Sequence, residues 1–235
     1  MTGINRRNEA REGLKVVRPR RRFEQELAEL DRLILRMGAV SEDMLIKVMQ
    51  ALKDRDVKLA EEIIRMDDEV DSLNLGIETT CIRLIATQQP QARDLRRIVA
   101  ALKISGDVER VADYAVDISL VVSELTDKPL FKPLEDIPGM QEVVKRMLHE
   151  TLNAFVTRDL ELVHKMIADD EKVDTLYENL YVELKNFMKQ DPSLVDQAVP
   201  LLLIARYLER IADHITNIGE RVFYVETGEL KELHV

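Results

Sequence analysis

The amino-acid sequence predicts an all-α protein made of two similar antiparallel three-helix bundles. A ten-residue signature with the shared core Glu-Arg-x-Ala-Asp occurs twice, at 109–118 and 209–218, and an internal repeat of this kind indicates a duplicated structural unit. Gly and Pro are scarce, at 8 and 7 residues, while Leu, Ile, Val, Ala, Glu, Lys and Arg dominate, which is typical of helices. No segment has the alternating polarity of a half-buried strand.

The repeat extends upstream of the signature. Residues 55–73 match residues 158–176 at an offset of 103, whereas the two signatures lie at an offset of 100. The second copy has therefore lost three residues between the two blocks. That loss falls near Gln89-Pro90 and Asp191-Pro192, where proline predicts a turn between helices.

Apolar residues recur at three- and four-residue steps, which predicts six helices. We predict these helices at 23–53, 57–88, 92–125, 140–157, 159–190 and 193–227. Between the third and fourth helix, residues 126–139 contain three of the seven prolines and indicate a linker. The predicted organisation is a leader at 1–22, a first bundle at 23–126, a linker at 127–139 and a second bundle at 140–228.

Charge is unevenly distributed along the chain. The net charge is −10, yet the leader carries eight Lys or Arg against two Glu. Such a segment could contact nucleic acid or an anionic membrane, but no aromatic residues or binding fold accompany the charge. We therefore interpret it as a disordered, solvated tail and expect no specific nucleic-acid binding.

The composition excludes several other classes of protein. No run of about 18 apolar residues indicates a transmembrane helix, and no apolar signal peptide opens the chain. The lone Cys81 lies among apolar neighbours, which favours a core residue in a reducing, cytoplasmic location over a disulfide or a nucleophile.

Acidic pairs spaced four residues apart occur on consecutive helices in both halves. The first half has Asp67 with Asp71 and Glu109 with Asp113; the second has Asp170 with Asp174 and Glu209 with Asp213. Such like-charged pairs weaken a helix by a few tenths of a kcal/mol, so something other than helix stability retains them. A helical projection places the signature acids nearly opposite the apolar seam, so we expect them at the bundle surface.

Clustered carboxylates without Cys suit hard or borderline cations such as Mg, Ca, Mn or iron. Two other interpretations stay open at this point, namely a solvated helix face and salt bridges to Arg110 and Arg210. A di-iron oxidase or storage site is a competing hypothesis. It requires inward-facing Glu-x-x-His motifs on two helices, and only Glu161 to His164 has that spacing. No phosphate loop, catalytic triad, zinc-site spacing or helix-turn-helix signature is present, and we predict that the protein is not an enzyme.

The duplicated acidic blocks resemble the PhoU family. The resemblance also rests on residues 85–98, Ile-Ala-Thr-Gln-Gln-Pro-Gln-Ala-Arg-Asp-Leu-Arg-Arg-Ile, and on the linker sequence Lys-Pro-Leu-Glu-Asp-Ile-Pro at 132–138. It covers about residues 24–227. It implies two three-helix bundles related by pseudo-twofold symmetry in a cytoplasmic negative regulator of phosphate uptake and phosphate-starvation signalling. The implied partners are the ATPase subunit of the phosphate ABC transporter, a sensor histidine kinase and a second copy in a homodimer.

The resemblance also implies metal clusters on the acidic motifs, holding divalent or iron cations (Fe, Mn, Mg or Zn). The implied ligands are Asp67, Asp71, Glu109, Asp113 and Asp117 in the first half, and Asp170, Asp174, Glu209 and Asp213 in the second. Asn217 replaces the acid that Asp117 supplies, so we expect fewer ions or weaker binding in the second half. The residues we predict to contact partners are Arg93, Asp94, Arg96, Arg110 and Arg210, although capping and local salt bridges explain them about as well.

Overall fold

The computed structural model describes residues 5–125 and 129–233, with side chains from residue 21 onward. Within these residues the chain forms six long α-helices and no strand, which confirms the predicted fold class. The helices are α1 (Asn5–Asp54), α2 (Val57–Gln88), α3 (Ala92–Glu124), α4 (Asp136–Thr157), α5 (Leu160–Gln190) and α6 (Val195–Thr227). A short 3₁₀ turn, Pro192–Leu194, precedes α6.

The first turn of each half is built by the same Arg-Asp pair. Arg55 and Arg158 adopt left-handed backbone conformations, with φ of 57° and 65°, and reverse the chain between two helices. The following residue, Asp56 or Asp159, then caps the next helix. The Asp56 side chain accepts hydrogen bonds from the backbone N–H groups of Lys58 and Leu59, which satisfies donors that a helix start leaves unpaired.

Two helices start earlier than the periodicity predicts. α1 begins at Asn5 rather than at residue 23, because residues 5–22 include seven Arg and two Glu, which are helix formers. α1 thus includes most of the predicted leader. The side chains of residues 5–20 lie outside the described part of the structure, and the disorder of the leader stays a prediction. α4 begins at Asp136 rather than at residue 140, since Pro138 falls in its first turn, where a missing N–H breaks no intrahelical bond.

The two halves pack side by side and share one continuous apolar core. Helices α1, α2 and α3 pack together, as do α4, α5 and α6, while α3 packs along α6 and α1 packs along α4. The predicted seams are buried. In α3 the buried seam contains Ile104, Val108, Val111, Ala115 and Ile118, and in α6 it contains Ile204, Leu208, Ile211, Ile215 and Ile218. Because these seams point inward, the signature acids on the same helices are directed toward the surface.

Two further predictions concern Cys81 and the absence of a membrane-spanning helix. Cys81 is buried in the core, and burial raises the pKa of its thiol to about 12, so it is a packing residue with little thiolate at neutral pH. Among the described residues, no helix combines the length and the apolarity needed to cross a membrane.

Candidate metal-binding faces

The structure brings the predicted acids of the first half together across α2 and α3. We call the set Asp67, Asp71, Glu109, Asp113 and Asp117 the first acidic cluster. Asp71 is exposed and the other four side chains are half-buried. Asn74 of α2 joins the two helices there, since its Nδ2 donates to Oε2 of Glu109 over 2.8 Å. The cluster is therefore a shallow acidic face on the bundle surface, which is where the helical projection placed it.

Burial and mutual repulsion together raise the pKa values of the first acidic cluster. Burial, followed by the charges of Asp71, Asp113, Asp68 and Glu109, raises the pKa of Asp67 to about 6. Burial and neighbouring acids also raise the pKa of Glu109. The buried Oδ1 of Asp67 has no hydrogen-bond partner among the described residues. Several carboxylates thus share this face with too little positive charge to stabilise their ionised forms.

Among the residues that the structure describes, one arginine pairs with the first acidic cluster. Arg110 approaches Oδ2 of Asp113 at 2.9 Å. Asp117 lies at the edge of the cluster nearest α6, where its charge adds to the effect of burial and raises the pKa of Tyr207. Burial and the charge of Asp113 raise the pKa of Asp117 itself, and Arg110 opposes that rise.

The second half presents an equivalent face with a different charge balance. We call Asp170, Asp174, Glu209 and Asp213 the second acidic cluster. Nη1 of Arg206 donates to Oε1 of Glu209 over 2.5 Å, and Arg210 pairs with Asp213 at 3.0 Å. Burial and Asp213 raise the pKa of Glu209, but Arg206 and Arg210 both oppose that rise. Two arginines therefore pair with Glu209 and Asp213 among the described residues.

The first acidic cluster fits a hard cation better than the second does. Each cluster has one buried carboxylate oxygen without a hydrogen-bond partner among the described residues, namely Oδ1 of Asp67 and Oε2 of Glu209. The charge of the first cluster is less compensated, because one arginine pairs with it and two pair with the second. Among the described residues, no three His, Cys, Asp or Glu side chains are already close enough to hold one ion. A cation would therefore have to draw carboxylates of α2 and α3 together, which their rotatable side chains allow.

Most of the residues predicted to contact partners make contacts within the molecule. Arg93 pairs with Glu226, and Nη2 of Arg96 donates to the backbone carbonyl of Val225 over 3.3 Å. Both arginines thereby join the start of α3 to the end of α6. Asp94 is exposed in the first turn of α3, where an acid favours the helix dipole. Arg110 and Arg210 pair with the acidic clusters as described, so the partner-binding role of these five residues stays a prediction.

The residues of the competing oxidase hypothesis do not face the bundle interior. Glu161 and His164 are both exposed near the start of α5. A di-iron site requires such ligands to converge inside the bundle, and this pair faces solvent.

Sequence reasoning missed two contacts between α3 and α6, one polar and one aromatic, and a third contact within α6. Nδ1 of His214 lies 3.0 Å from Oδ1 of Asp107, and the rings of Tyr114 and Tyr207 lie 5.7 Å apart. The missed contact within α6 is that of Arg206 with Glu209. A signal existed in the repeat itself, because Arg206 occupies the position of glycine in the first copy.

The fold and its two acidic faces define a class of all-helical proteins built from a duplicated three-helix unit. The family model described as the PhoU domain matches this chain twice, over residues 34–122 and 137–222. The chain belongs to the PhoU family.

Curated relatives and solved structures agree with this assignment. A protein of Clostridium acetobutylicum, described as a phosphate-specific transport system accessory protein PhoU homolog, is 39% identical over 216 residues, which cover 92% of this chain and 99% of the relative. A relative of the same description from Aquifex aeolicus is 38% identical over 90% of this chain and 96% of its own length.

Two crystal structures show the same fold. That of PhoU from Pseudomonas aeruginosa superposes with a TM-score of 0.84 at 30% identity, covering 88% of this chain and all of the other. That of the phosphate transport system regulatory protein PhoU from Streptococcus pneumoniae gives a TM-score of 0.83 at 33% identity, covering 89% of this chain and 99% of the other.

Proposed function

We propose that this protein is a non-enzymatic accessory protein of a phosphate-specific transport system. In this proposal it restrains phosphate uptake and phosphate-starvation signalling by contacting the transporter ATPase subunit and a sensor histidine kinase, in the cytoplasm and as a homodimer. The observation that carries the proposal is the family match in both halves of the chain. The curated relatives, described as accessory proteins of such systems, support it.

The first acidic cluster supplies the second part of the proposal, a cation-dependent docking surface. A divalent or iron cation (Fe, Mn, Mg or Zn) held by Asp67, Asp71, Glu109 and Asp113 would relieve the repulsion that raises the pKa of Asp67. It would also tie α2 to α3 at that face and change the surface charge that a partner meets. The second acidic cluster carries compensating arginines and contributes less to this switch.

The accessory role is tested by co-purification from native cells grown with ample and with scarce phosphate. The tagged protein is cross-linked mildly, and its partners are identified by mass spectrometry. We expect the transporter ATPase subunit and a histidine kinase, in amounts that change with phosphate. Recovery of neither partner under either condition would refute the accessory role.

A matched pair of variants tests the acidic face separately. Asp71→Ala with Asp113→Ala removes two charges from the first acidic cluster, and Glu61→Ala with Glu161→Ala removes two exposed charges elsewhere. We expect the first variant alone to lose partner recovery. Equal recovery by both variants would leave the accessory role standing and exclude the cluster as the docking surface.

Metal binding has its own readout. Glu109→Ala with Asp113→Ala should lower the metal content of the protein while leaving its helicity nearly unchanged, because both side chains point away from the buried seam. Metal is measured by elemental analysis and helicity by circular dichroism. Loss of the helical signal would contradict the assignment of these residues as surface ligands.

A further inference from the structure

Beside the signature glutamate, the two halves differ at two positions that the repeat makes equivalent. At the offset of 100, Gly106 of α3 corresponds to Arg206 of α6; at the offset of 103, Asn74 of α2 corresponds to Tyr177 of α5. Both substitutions lie beside the signature glutamate of their half. The first copy therefore has a glycine and a neutral amide where the second copy has a guanidinium and an aromatic ring.

Arg206 and Tyr177 form a built arrangement around Glu209. The guanidinium carbon of Arg206 lies 5.6 Å from the centre of the Tyr177 ring, within the range of a cation–π contact. Its Nη1 is 2.5 Å from Oε1 of Glu209, whose side chain is only 13% exposed. A charge-assisted hydrogen bond to a mostly buried carboxylate is stronger than one in open solvent. Arg206 is thus hydrogen-bonded to Glu209 on its own helix, α6, and stacked on Tyr177 of α5.

The first acidic cluster has no such internal cation. Gly106 has no side chain, and Asn74 gives Glu109 a neutral hydrogen bond of 2.8 Å. Arg110 is matched by Arg210 in the second half, since each pairs with the aspartate three residues later. The difference between the halves is therefore the extra guanidinium of Arg206, together with Asn217 in place of Asp117.

We propose that Arg206 is a tethered counter-ion that takes the place of a bound cation in the second acidic cluster, so that divalent cations load the first cluster alone. This inference rests on the cation binding proposed above and assigns it to one half of the chain. The second half keeps α5 and α6 bridged at all times through Tyr177, Arg206 and Glu209. The first half bridges α2 and α3 through carboxylates only when a cation is present.

The repeat allows the internal cation to be exchanged between the halves. A Cβ built at Gly106 has no neighbour within 4 Å, so there is space for a side chain to leave the helix. Gly106→Arg with Asn74→Tyr should install the counter-ion in the first half, and Gly106→Gln with Asn74→Tyr is the uncharged control. Arg206→Gln removes it from the second half and avoids the roughly 1 kcal/mol that a helix glycine costs.

The measurement is a titration of chelator-treated protein with Mn²⁺ by isothermal calorimetry, accompanied by thermal unfolding with and without Mn²⁺. We expect one class of site in the wild type, at least tenfold weaker binding in Gly106→Arg/Asn74→Tyr than in its glutamine control, and a second class of site in Arg206→Gln. Thermal stabilisation by Mn²⁺ should follow the same order, which distinguishes site occupancy from loss of fold.

Three results would overturn the inference. Two equal classes of site in the wild type, or no additional binding in Arg206→Gln, would show that Arg206 does not replace a cation, while leaving cation binding intact. Absence of Mn²⁺ binding in the wild type, repeated with Mg²⁺, Zn²⁺ and Fe²⁺, would refute the cation-dependent surface and this inference together.

Discussion

Replacing Asp67 by Asn should stabilise the metal-free protein at neutral pH. Asp67 is half-buried among acids, and its pKa is raised from 3.8 to about 6, first by burial and then by the charges of Asp71 and Asp113. A carboxylate whose pKa is raised by folding holds its proton more tightly in the folded state, so its ionised form destabilises the fold. Asn has nearly the same shape and carries no charge.

The magnitude follows from the size of the shift. A rise from 3.8 to about 6, at about 1.4 kcal/mol per pKa unit, sets an upper bound of about 3 kcal/mol. Solvent screens a partly exposed group, which reduces the expected gain to about 1 kcal/mol. For a chain of this size that gain corresponds to a rise of about 2–4 °C in Tm. The gain should be full above the folded pKa of about 6 and should shrink as the pH falls through that value. It disappears below 3.8, where Asp67 is protonated in both the folded and the unfolded state.

Urea unfolding followed by circular dichroism, in the presence of a chelator at pH 7.5 and again near pH 4, measures the difference. Glu61→Gln provides the control, because it removes one exposed charge from the same helix. Its effect on the free energy of unfolding should be smaller than that of Asp67→Asn at pH 7.5. An Asp67→Asn variant that is no more stable than the wild type at pH 7.5, or equally stabilised at both pH values, would refute the argument that the ionised Asp67 destabilises the fold.

Two further predictions concern the packing of α4 against its neighbours. Asp169 is buried beside α4 and accepts hydrogen bonds from Arg146 and Lys172 at 2.7–3.0 Å. Asp169→Ala removes these charge-assisted hydrogen bonds but leaves two exposed cations that water can solvate, so it should lower the free energy of unfolding by about 1–3 kcal/mol in urea titrations. A change under about 0.5 kcal/mol would show that these hydrogen bonds do not stabilise the fold. Gly38 lets α1 approach α4, since an added Cβ would lie 2.1 Å from Cδ1 of Leu152. Gly38→Ala should therefore lower the free energy of unfolding by about 1–3 kcal/mol, and by much less in a Leu152→Ala background. Equal losses in both backgrounds would exclude the clash.

The helices and their order follow from local patterns in the sequence. Helix α2 runs from Val57 to Gln88 as predicted, because Asp56 supplies an N-cap and Gln89-Pro90 ends the apolar periodicity. The starts of α1 and α4 were wrong by 18 and 4 residues. Composition and a proline give only weak boundary signals, since helix formers continue a helix and a first-turn proline is tolerated.

For the acidic faces, too, the sequence predicted some features and the packing of the helices determined others. Spacing alone placed Glu109 and Asp113 on the surface side of α3, because the direction of a side chain on a helix follows from its position in the sequence. The proximity of Asp67 to these residues depends on how α2 lies against α3, and a one-helix pattern carries no information on that distance. The same holds for Arg93, whose partner Glu226 lies at the far end of the chain.

Periodicity and the internal repeat are visible along the chain, and they were enough to show that this protein is all-helical, duplicated and a member of the PhoU family, with its acids on one face of each helix. The balance of the charges could not be predicted from these patterns and required the packing of the helices. The energy of a charge depends on its burial and on neighbours brought close by packing. Asp67 and Glu209 occupy equivalent faces of the two halves, but the first is surrounded by acids and the second is held by Arg206, which rests on the ring of Tyr177.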